Sequence, residues 1–272
     1  MKLSKIAIIG TGNLGRSIAN GLVQSGNYRA EDIMLTRRRS QLLDDMRELG
    51  YVIKENNVAA VKASDLIIVA VEPQQIDAVL REIGPSLQQE KHVLISVVTG
   101  VRIRQIEKRI GTAVPIVRAM PNTAIAVKES MTCIAANGID EAKLDAARSI
   151  FDTVGKTKVI NEEEMIAATA LGACGIAFFL RAIRAASQGG IEIGFHSKTA
   201  LEIAAQTAKG AASLLLAMGD HPEHEIDKVT TPRGCTIAGL NHMEHEGFSS
   251  AMIKGITISA EKAVGLYSGD DE

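Results

Sequence analysis

Six residues near the amino terminus have the types and spacing of a phosphate-binding loop. They are Gly10-Thr11-Gly12-Asn13-Leu14-Gly15, in the pattern G-x-G-x-x-G. In this pattern the first glycine permits a tight turn, the second lets the backbone approach a pyrophosphate, and the third packs a helix against a sheet. The amino terminus of that helix offers N–H donors and the positive end of a dipole. The pattern is informative only where a strand precedes it and a helix follows it.

The end of the second predicted strand discriminates between the two nicotinamide cofactors. An acidic residue usually stands there when the adenosine ribose carries a free 2′-hydroxyl. Here the chain continues Thr36-Arg37-Arg38, and no acid lies between Ile33 and Leu43. An arginine can hold a 2′-phosphate with two N–H donors. We therefore predict that Thr36, Arg37 and Arg38 bind NADP(H), with NAD(H) as the alternative cofactor; a solvated basic turn is the non-binding interpretation.

Short apolar segments alternate with helical ones through the first half of the chain. Buried strands are predicted at 5–9, 33–36, 51–53, 65–71, 93–98, 116–118, 131–135 and 157–160, and helices at 17–25, 40–49 and 140–152. This alternation is typical of a mostly parallel sheet with helices on both faces. It also places the glycine pattern between a strand and a helix, as a dinucleotide loop requires.

The pattern changes near residue 160. Beyond it we find no convincing strand, and Ala-rich helices are predicted at 162–189, 196–218, 235–246 and 248–266. The fold class is therefore α/β, with a Rossmann-like dinucleotide-binding sheet domain (1–160) followed by an all-helical domain (161–272). Helices 162–189 and 196–218 are apolar around much of their circumference, so a partner chain is expected to cover them. Glu162-Glu163-Glu164 is interpreted as charge that complements a helix dipole.

Composition excludes several functional classes. Lys plus Arg is 30 and Asp plus Glu is 32, so no bulk positive field exists to hold nucleic acid. Aromatic residues are 3% and Trp is absent, which argues against stacking platforms for single strands. No unbroken run of 18 apolar residues occurs, so we expect no transmembrane helix and no membrane partner. Three widely spaced cysteines suit reduced thiols, and a cytoplasmic protein is predicted.

Two histidine pairs are candidate metal ligands. His221 and His224 flank a proline, and His242 and His245 are three residues apart. No further ligand cluster has suitable spacing, so we predict no metal site. Cys174, in an apolar stretch, is interpreted as a small core residue.

At five places in order the chain resembles the pyrroline-5-carboxylate reductase family. The segments are Gly10 to Gly15, Ile67 to Pro73 (IIVAVEP), Arg118 to Thr123 (RAMPNT), Thr169 to Phe178 (TALGACGIAF) and Thr231 to Leu240 (TPRGCTIAGL). The first segment occurs in many dinucleotide-binding proteins, whereas RAMPNT and the last loop, at these spacings, are specific to this family. The resemblance implies reduction of 1-pyrroline-5-carboxylate to L-proline by hydride transfer from NAD(P)H, in proline biosynthesis. It also implies a nicotinamide domain followed by a helical dimerisation domain, hence a homodimer or a higher homo-oligomer.

The resemblance also implies roles for individual residues. Gly234, Cys235 and Thr236 map to the substrate loop, with backbone N–H groups for the carboxylate and the Thr236 hydroxyl as the catalytic group beside the imine nitrogen. Cys235 is therefore the more reactive of the thiols in this interpretation. The cofactor contacts carried over are Asn56 at the adenosine ribose, Ala70, Val71 and Pro73 beside the nicotinamide, and Met120, Pro121 and Asn122 at the floor of that site.

The chain departs from the family pattern around the substrate. Glu72 stands where lysine is usual, Gly172 and Cys174 where serines are usual, Ile176 where proline is usual and Arg233 where glycine is usual. These changes leave two alternatives open, a reductase of a related cyclic imino acid and a dinucleotide-binding regulatory homologue without this activity. A hydroxyacid dehydrogenase is disfavoured, because the surroundings of Lys209 do not match the catalytic lysine of those enzymes.

Overall fold

One sheet organises the amino-terminal part of the molecule. The structure, a computed structural model, describes residues 5–266, so the extreme ends of both predicted domains lie outside it. Within that range eight strands form the order β3-β2-β1-β4-β5-β6-β7-β8. They are β1 (Ile6–Ile9), β2 (Ile33–Thr36), β3 (Val52–Ile53), β4 (Leu66–Val69), β5 (Val93–Ser96), β6 (Ile116–Met120), β7 (Ser130–Ala136) and β8 (Gly155–Val159). Neighbours are parallel except β6 and β7, which confirms the predicted mostly parallel sheet.

Both faces of the sheet are covered, which explains why the strands are apolar without alternation. Along β1, Ile6 and Ile8 face one core cluster, whereas Ala7 and Ile9 face the other. Side chains of successive strand residues point to opposite faces, so a strand buried on both sides is apolar at every position. The covering helices are α1 (Asn13–Gln24), α2 (Asp44–Glu48), α3 (Asn57–Lys62), α4 (Ile76–Ile83), α5 (Ile103–Ile110) and α6 (Glu141–Asp152).

The described chain from residue 162 onward is helical, as predicted. It contains a 3-10 turn at Glu162–Glu164, a π-helical turn at Thr169–Cys174, and the helices α7 (Met165–Ala168), α8 (Gly175–Glu192), α9 (Ser197–Met218), α10 (Pro222–Val229), α11 (Cys235–His245) and α12 (Phe248–Val264). Helices α3, α4, α5 and α10 had not been predicted. Each has eight residues or fewer, and helices of this length depend on tertiary packing more than on their own sequence.

The chain divides into two compact units, and the division differs from the predicted domain boundary. One unit runs to Cys174 and takes in the residues from Ser259 onward; the other is Gly175–Ile258. Strands do end at Val159, near the predicted position of 160. The first unit nevertheless continues, because Met165 and Ala170 are fully buried and Met165 packs with Met120 and Ala135 of the sheet.

One segment is long and apolar enough to be a candidate membrane-spanning helix, which the sequence analysis did not anticipate. By length and composition alone, Glu162–Glu192 qualifies, with a mean hydropathy of 1.9 over its most apolar window, of which 17% is buried. The expectation had required an unbroken apolar run. Gly172 and Gly175 interrupt that run without adding charge, so the mean hydropathy stays high. A core helix of a water-soluble protein passes the same test, so this is weak evidence for a membrane.

A half-buried carboxylate joins the start of the helical region to the sheet. Oε1 of Glu162 accepts hydrogen bonds from the backbone N–H of Ile103 (2.6 Å) and from Nη1 of Arg118 (3.1 Å), and Oε2 accepts from Nδ2 of Asn137 (3.2 Å). Burial lowers the pKa of Arg118, and the Glu162 carboxylate opposes that shift. Glu162 therefore does more than complement a helix dipole: it neutralises a cation within the sheet.

Removing this carboxylate should destabilise the protein strongly. Glu162→Ala leaves Arg118, whose side chain is 6% exposed, as an uncompensated buried charge. We expect the free energy of unfolding to fall by about 3 kcal/mol. Urea denaturation followed by circular dichroism measures the change. Glu163→Ala, an exposed neighbour, is the matched control and should change stability by less than about 0.5 kcal/mol; equal effects of the two substitutions would show that the buried pair is not responsible.

Candidate active site

The ends of three parallel strands meet at the glycine loop. The backbone N–H groups of Gly10 and Thr11 donate to the carbonyl of Thr36 at the end of β2 (3.2 and 3.0 Å), and that of Ala70 after β4 donates to Ile9 in β1 (2.8 Å). Gly10 has a φ of 91°, a conformation that a residue with a side chain rarely adopts. The structure thus brings together four predicted contacts, Gly10, Thr36, Ala70 and Val71, at the carboxyl edge of the sheet, where dinucleotides bind in such folds.

The three glycines of the loop are in different surroundings. A Cβ on Gly10 would lie 2.6 Å from Cγ1 of Val71, and one on Gly15 would lie 2.8 Å from the Gly10 carbonyl oxygen, so neither position has room for a side chain. These contacts confirm the predicted roles of Gly10 in the turn and of Gly15 in helix packing. At Gly12 nothing lies within 4 Å of such a Cβ. The backbone beside Gly12 is therefore open to a large anion.

The start of α1 completes this anion-binding geometry. Helix α1 begins at Asn13, with Gly12 as N-cap and no side-chain capping bond. The first N–H groups of a helix have no partner within it, so those of Asn13 and Leu14 are available to a ligand. Thr11, which was predicted as a cofactor contact, is fully buried, and its hydroxyl donates to the Ile8 carbonyl (3.3 Å). Its side chain thereby supports the loop.

The residues after β2 divide into a buried hydroxyl and accessible cations. Thr36 is 3% exposed, and its hydroxyl donates to Oδ1 of Asn57 at 2.7 Å. Arg37 is half-buried and Arg38 is exposed, so both guanidinium groups can reach a ligand. Asn56, predicted at the ribose, uses its amide oxygen to cap α3 through the N–H of Ala59 (2.8 Å). Asn57, which sequence reasoning missed, is the asparagine that contacts the end of β2.

The predicted nicotinamide turns also lie in the first unit. The Thr99 hydroxyl is 4.0 Å from Sδ of Met120, and Nδ2 of Asn122 donates to the carbonyl of Gly172 at 3.2 Å. Pro121, which lies between Met120 and Asn122 in the sequence, is buried. Pro73 is the first residue of a 3-10 turn. The Glu72 side chain is exposed and accepts a hydrogen bond from Gln75. The charge reversal at this position therefore faces solvent.

The predicted substrate loop lies in the second unit, at the start of α11. The N–H of Gly234 donates to the carbonyl of Thr231 (2.9 Å), closing a turn with Pro232 and Arg233 at its centre. Arg233 has a φ of 59°, the left-handed conformation that the third residue of a type II turn adopts and that glycine takes without strain. The usual glycine of the family is explained by this backbone conformation, which Arg233 retains at an energetic cost.

Helix α11 begins one residue before Thr236. Its first residue is Cys235, which is exposed, and Gly234 is the N-cap without a side-chain capping bond. Thr236 is half-buried in the first turn and is not the N-cap. The first N–H groups of α11 are free of intrahelical partners, as an anion site needs.

The histidines have local contacts only. Nδ1 of His221 accepts from the N–H of Glu223, and Nε2 of His224 lies 3.8 Å from Oδ2 of Asp220. Among residues 5–266 no group of three or more His, Cys, Asp or Glu side chains is placed to hold a metal ion.

Relieving the strain at Arg233 should stabilise the protein slightly. In Arg233→Gly the left-handed conformation carries no Cβ penalty, while the unfolded chain gains some freedom. The free energy of unfolding should rise by about 0.5–1 kcal/mol. Arg233→Ala removes the guanidinium but keeps the Cβ, so as a control it should show no gain. A comparable gain in both variants, measured by chemical denaturation, would place the cost in the arginine side chain instead of the backbone.

Two family models match the chain, one in each half. The model described as "Pyrroline-5-carboxylate reductase dimerisation" matches residues 162–266, and "NADP oxidoreductase coenzyme F420-dependent" matches residues 5–100. The range 5–100 contains the glycine loop and the end of β2, and the range 162–266 contains the loop before α11.

Curated relatives resemble almost the whole chain. It is 52% identical to Pyrroline-5-carboxylate reductase 1 of Dictyostelium discoideum across 97% of its length, although it spans only half of that protein. It is 48% identical to Pyrroline-5-carboxylate reductase 2 of the same organism, covering 95% of this chain and 91% of the relative. A Methanosarcina acetivorans pyrroline-5-carboxylate reductase is 33% identical over 97% of this chain and 98% of its own.

Solved structures give the same result. A pyrroline-5-carboxylate reductase from Coxiella burnetii superposes with a TM-score of 0.89 at 30% identity, covering 98% of this chain and all of that one. The NADP-bound pyrroline carboxylate reductase of Plasmodium falciparum has the same fold, with a TM-score of 0.87 at 24% identity over 98% and 99% of the two chains. With its glycine loop, its two matched models and relatives at 48% and 33% identity that it spans almost completely, the chain belongs to the pyrroline-5-carboxylate reductase family.

Proposed function

We propose that this chain reduces 1-pyrroline-5-carboxylate to L-proline with NADPH as the hydride donor. The observation that carries the proposal is the meeting of β1, β2 and β4 at the glycine loop, in a member of a family named for this reaction. The open backbone at Gly12 and the free N–H groups of α1 fit the pyrophosphate of a dinucleotide. Arg37 and Arg38 fit a 2′-phosphate.

The reaction asks the protein mainly for orientation and charge. When bound, NADPH supplies the hydride that adds to the imine carbon, while the imine nitrogen ends with a proton as the secondary amine of proline. A protonated or hydrogen-bonded nitrogen makes that carbon more electrophilic. The chain's own task is therefore to hold the planar ring in place, bind its carboxylate, and keep a hydrogen-bonding group at the nitrogen.

The start of α11 supplies groups for both ends of the substrate. The N–H groups of Cys235 and Thr236 point out of the amino-terminal end of α11, along the helix axis. A carboxylate placed there is stabilised by these donors and by the helix dipole. The Thr236 hydroxyl is the side-chain group assigned to the imine nitrogen. Gly234 cannot be replaced without conflict, because a Cβ there would lie 2.5 Å from Oγ1 of Thr231.

A related cyclic imino acid is the second candidate substrate. The observation that favours it is Arg233, a cation within the substrate turn at a backbone position better suited to glycine. Comparing kcat/KM for 1-pyrroline-5-carboxylate with that for its six-membered homologue decides between them. A chain that binds NADPH and reduces neither compound would be a regulatory homologue.

The helical region is proposed to dimerise. In this proposal residues 1–160 form the cofactor domain and residues 161–272 form the dimerisation and substrate domain. The enzyme is proposed to be cytoplasmic. The matched dimerisation model covers residues 162–266. Large apolar side chains are exposed there in the single chain, including Leu180 (58%), Ile193 (79%) and Leu216 (86%). Water penalises such a surface, and a second copy would cover it. A stable monomer in sedimentation at micromolar concentration would contradict this.

Thr236→Val tests the catalytic assignment together with the activity. Valine keeps the shape and the backbone N–H but removes the hydroxyl, so transition-state stabilisation at the nitrogen is lost. We expect the rate of NADPH oxidation with 1-pyrroline-5-carboxylate to fall about ten- to a hundredfold. The Kd for NADPH serves as the internal control and should not change. A lower melting temperature with unchanged turnover would assign Thr236 a structural role.

Substituting the two arginines after β2 tests the cofactor preference. In Arg37→Ala/Arg38→Ala, the loss of charge-assisted contacts should raise the Kd for NADPH about ten- to a hundredfold. The Kd for NADH should barely change, because NADH has no 2′-phosphate. Arg47→Ala, which removes an exposed arginine of α2, is the control for net charge. Equal use of NADPH and NADH by the wild-type chain would rule out the preference.

A further inference from the structure

A chain of two side-chain hydrogen bonds leads away from the end of β2. The Thr36 hydroxyl donates to Oδ1 of Asn57 at 2.7 Å, and Nδ2 of Asn57 donates to Oε2 of Glu82 at 2.8 Å. The three residues come from different elements, β2, α3 and α4. These hydrogen bonds therefore connect Thr36, which is predicted to lie beside the 2′ substituent of the ribose, to an exposed carboxylate.

The carboxylate fixes the direction of both hydrogen bonds. An ionised carboxylate only accepts, so the Asn57 amide must turn its NH2 group toward Glu82 and its oxygen toward Thr36. The opposite amide orientation would place two acceptor oxygens in contact. Because the amide oxygen cannot donate, the proton between Thr36 and Asn57 belongs to Thr36. That hydroxyl is left with lone pairs only.

An acceptor at this position discriminates between the two cofactors. A ribose 2′-hydroxyl can donate a hydrogen bond to Thr36, whereas a fully ionised 2′-phosphate only accepts. Thr36 is 3% exposed, so bulk water does not compensate a mismatched contact. The orientation of this hydroxyl thus favours NADH, while Arg37 and Arg38 favour NADPH.

We propose that Glu82, acting through Asn57, is a positioning residue that weakens the preference for NADPH over NADH by holding the Thr36 hydroxyl as an acceptor. The proposal rests on the proposed use of a nicotinamide dinucleotide. It assigns cofactor selectivity to opposing groups: the arginines after β2 and a carboxylate of α4. Glu82 is exposed, so its substitution leaves the buried core unchanged.

Glu82→Gln is the direct test. Glutamine has nearly the same shape but can donate as well as accept, so the Asn57 amide can reverse and donate to Thr36, whose proton then becomes available to a phosphate. Titration calorimetry without substrate gives the Kd for NADPH and for NADH. We expect the affinity ratio to move about three- to tenfold toward NADPH, the size of one hydrogen bond. Glu90→Gln, an exposed carboxylate before β5, makes the same charge change and should leave the ratio unchanged.

The Thr36→Val background separates an effect through the two hydrogen bonds from simple repulsion between the Glu82 carboxylate and the 2′-phosphate. Without the Thr36 hydroxyl, Glu82→Gln should no longer alter the ratio of the affinities for NADPH and NADH, because the chain of hydrogen bonds no longer ends at a group that can contact the cofactor. A shift of the same size in that background would overturn the proposal in favour of charge, as would an equal shift in Glu90→Gln. No shift in Glu82→Gln would also overturn it. A wild-type chain that binds both nucleotides without reducing the imine contradicts only the proposed function, whereas one that binds neither contradicts both.

Discussion

The close approach of the backbone at Gly10 is the constraint on which the rest of the nucleotide site depends. This residue lies against the segment that follows β4, leaves β1 with a positive φ, and donates to the end of β2. No side chain fits there, so three strand ends can converge around one turn. The convergence aims α1 at the carboxyl edge of the sheet, with its first N–H groups open. The contacts proposed at the glycine loop, at the end of β2 and directly after β4 are placed by this packing.

Buried polar groups hold the elements around the site in register. Glu162 accepts from three donors on different segments and balances the Arg118 charge. Asn122 connects the turn after β6 to the π-helical turn through Gly172. Such groups are costly to bury unless they are paired, so their hydrogen bonds specify one arrangement of the segments that bear them. The apolar contacts stabilise the sheet, and the polar contacts decide where its surrounding turns lie.

The proposed substrate loop depends on a different feature, the backbone geometry at the start of a helix. The turn from Thr231 to Gly234 directs the first N–H groups of α11 outward, and the turn requires a left-handed residue at 233. The backbone plan of the family is thus retained although the side chain differs. The departure at Arg233 can therefore coexist with an unchanged fold, because the backbone hydrogen bond from Gly234 to Thr231 that closes the turn is kept.

The sheet, the glycine loop and the change to helices near residue 160 were all predictable from local sequence patterns. Strands buried on both faces are apolar at every position, and the loop needs glycine where backbone meets backbone, so both leave a local signal. Three features could not be predicted in this way: the contact of Asn57 with the end of β2, the burial of Thr11, and the contact of Glu162 with Arg118 of the sheet. These outcomes depend on side chains that are distant in sequence, such as Asn57 with Glu82 and Glu162 with Arg118. Local sequence patterns do not reveal such partners. A polar residue near the start of a helix has the same neighbours in sequence whether its side chain faces water or a buried charge.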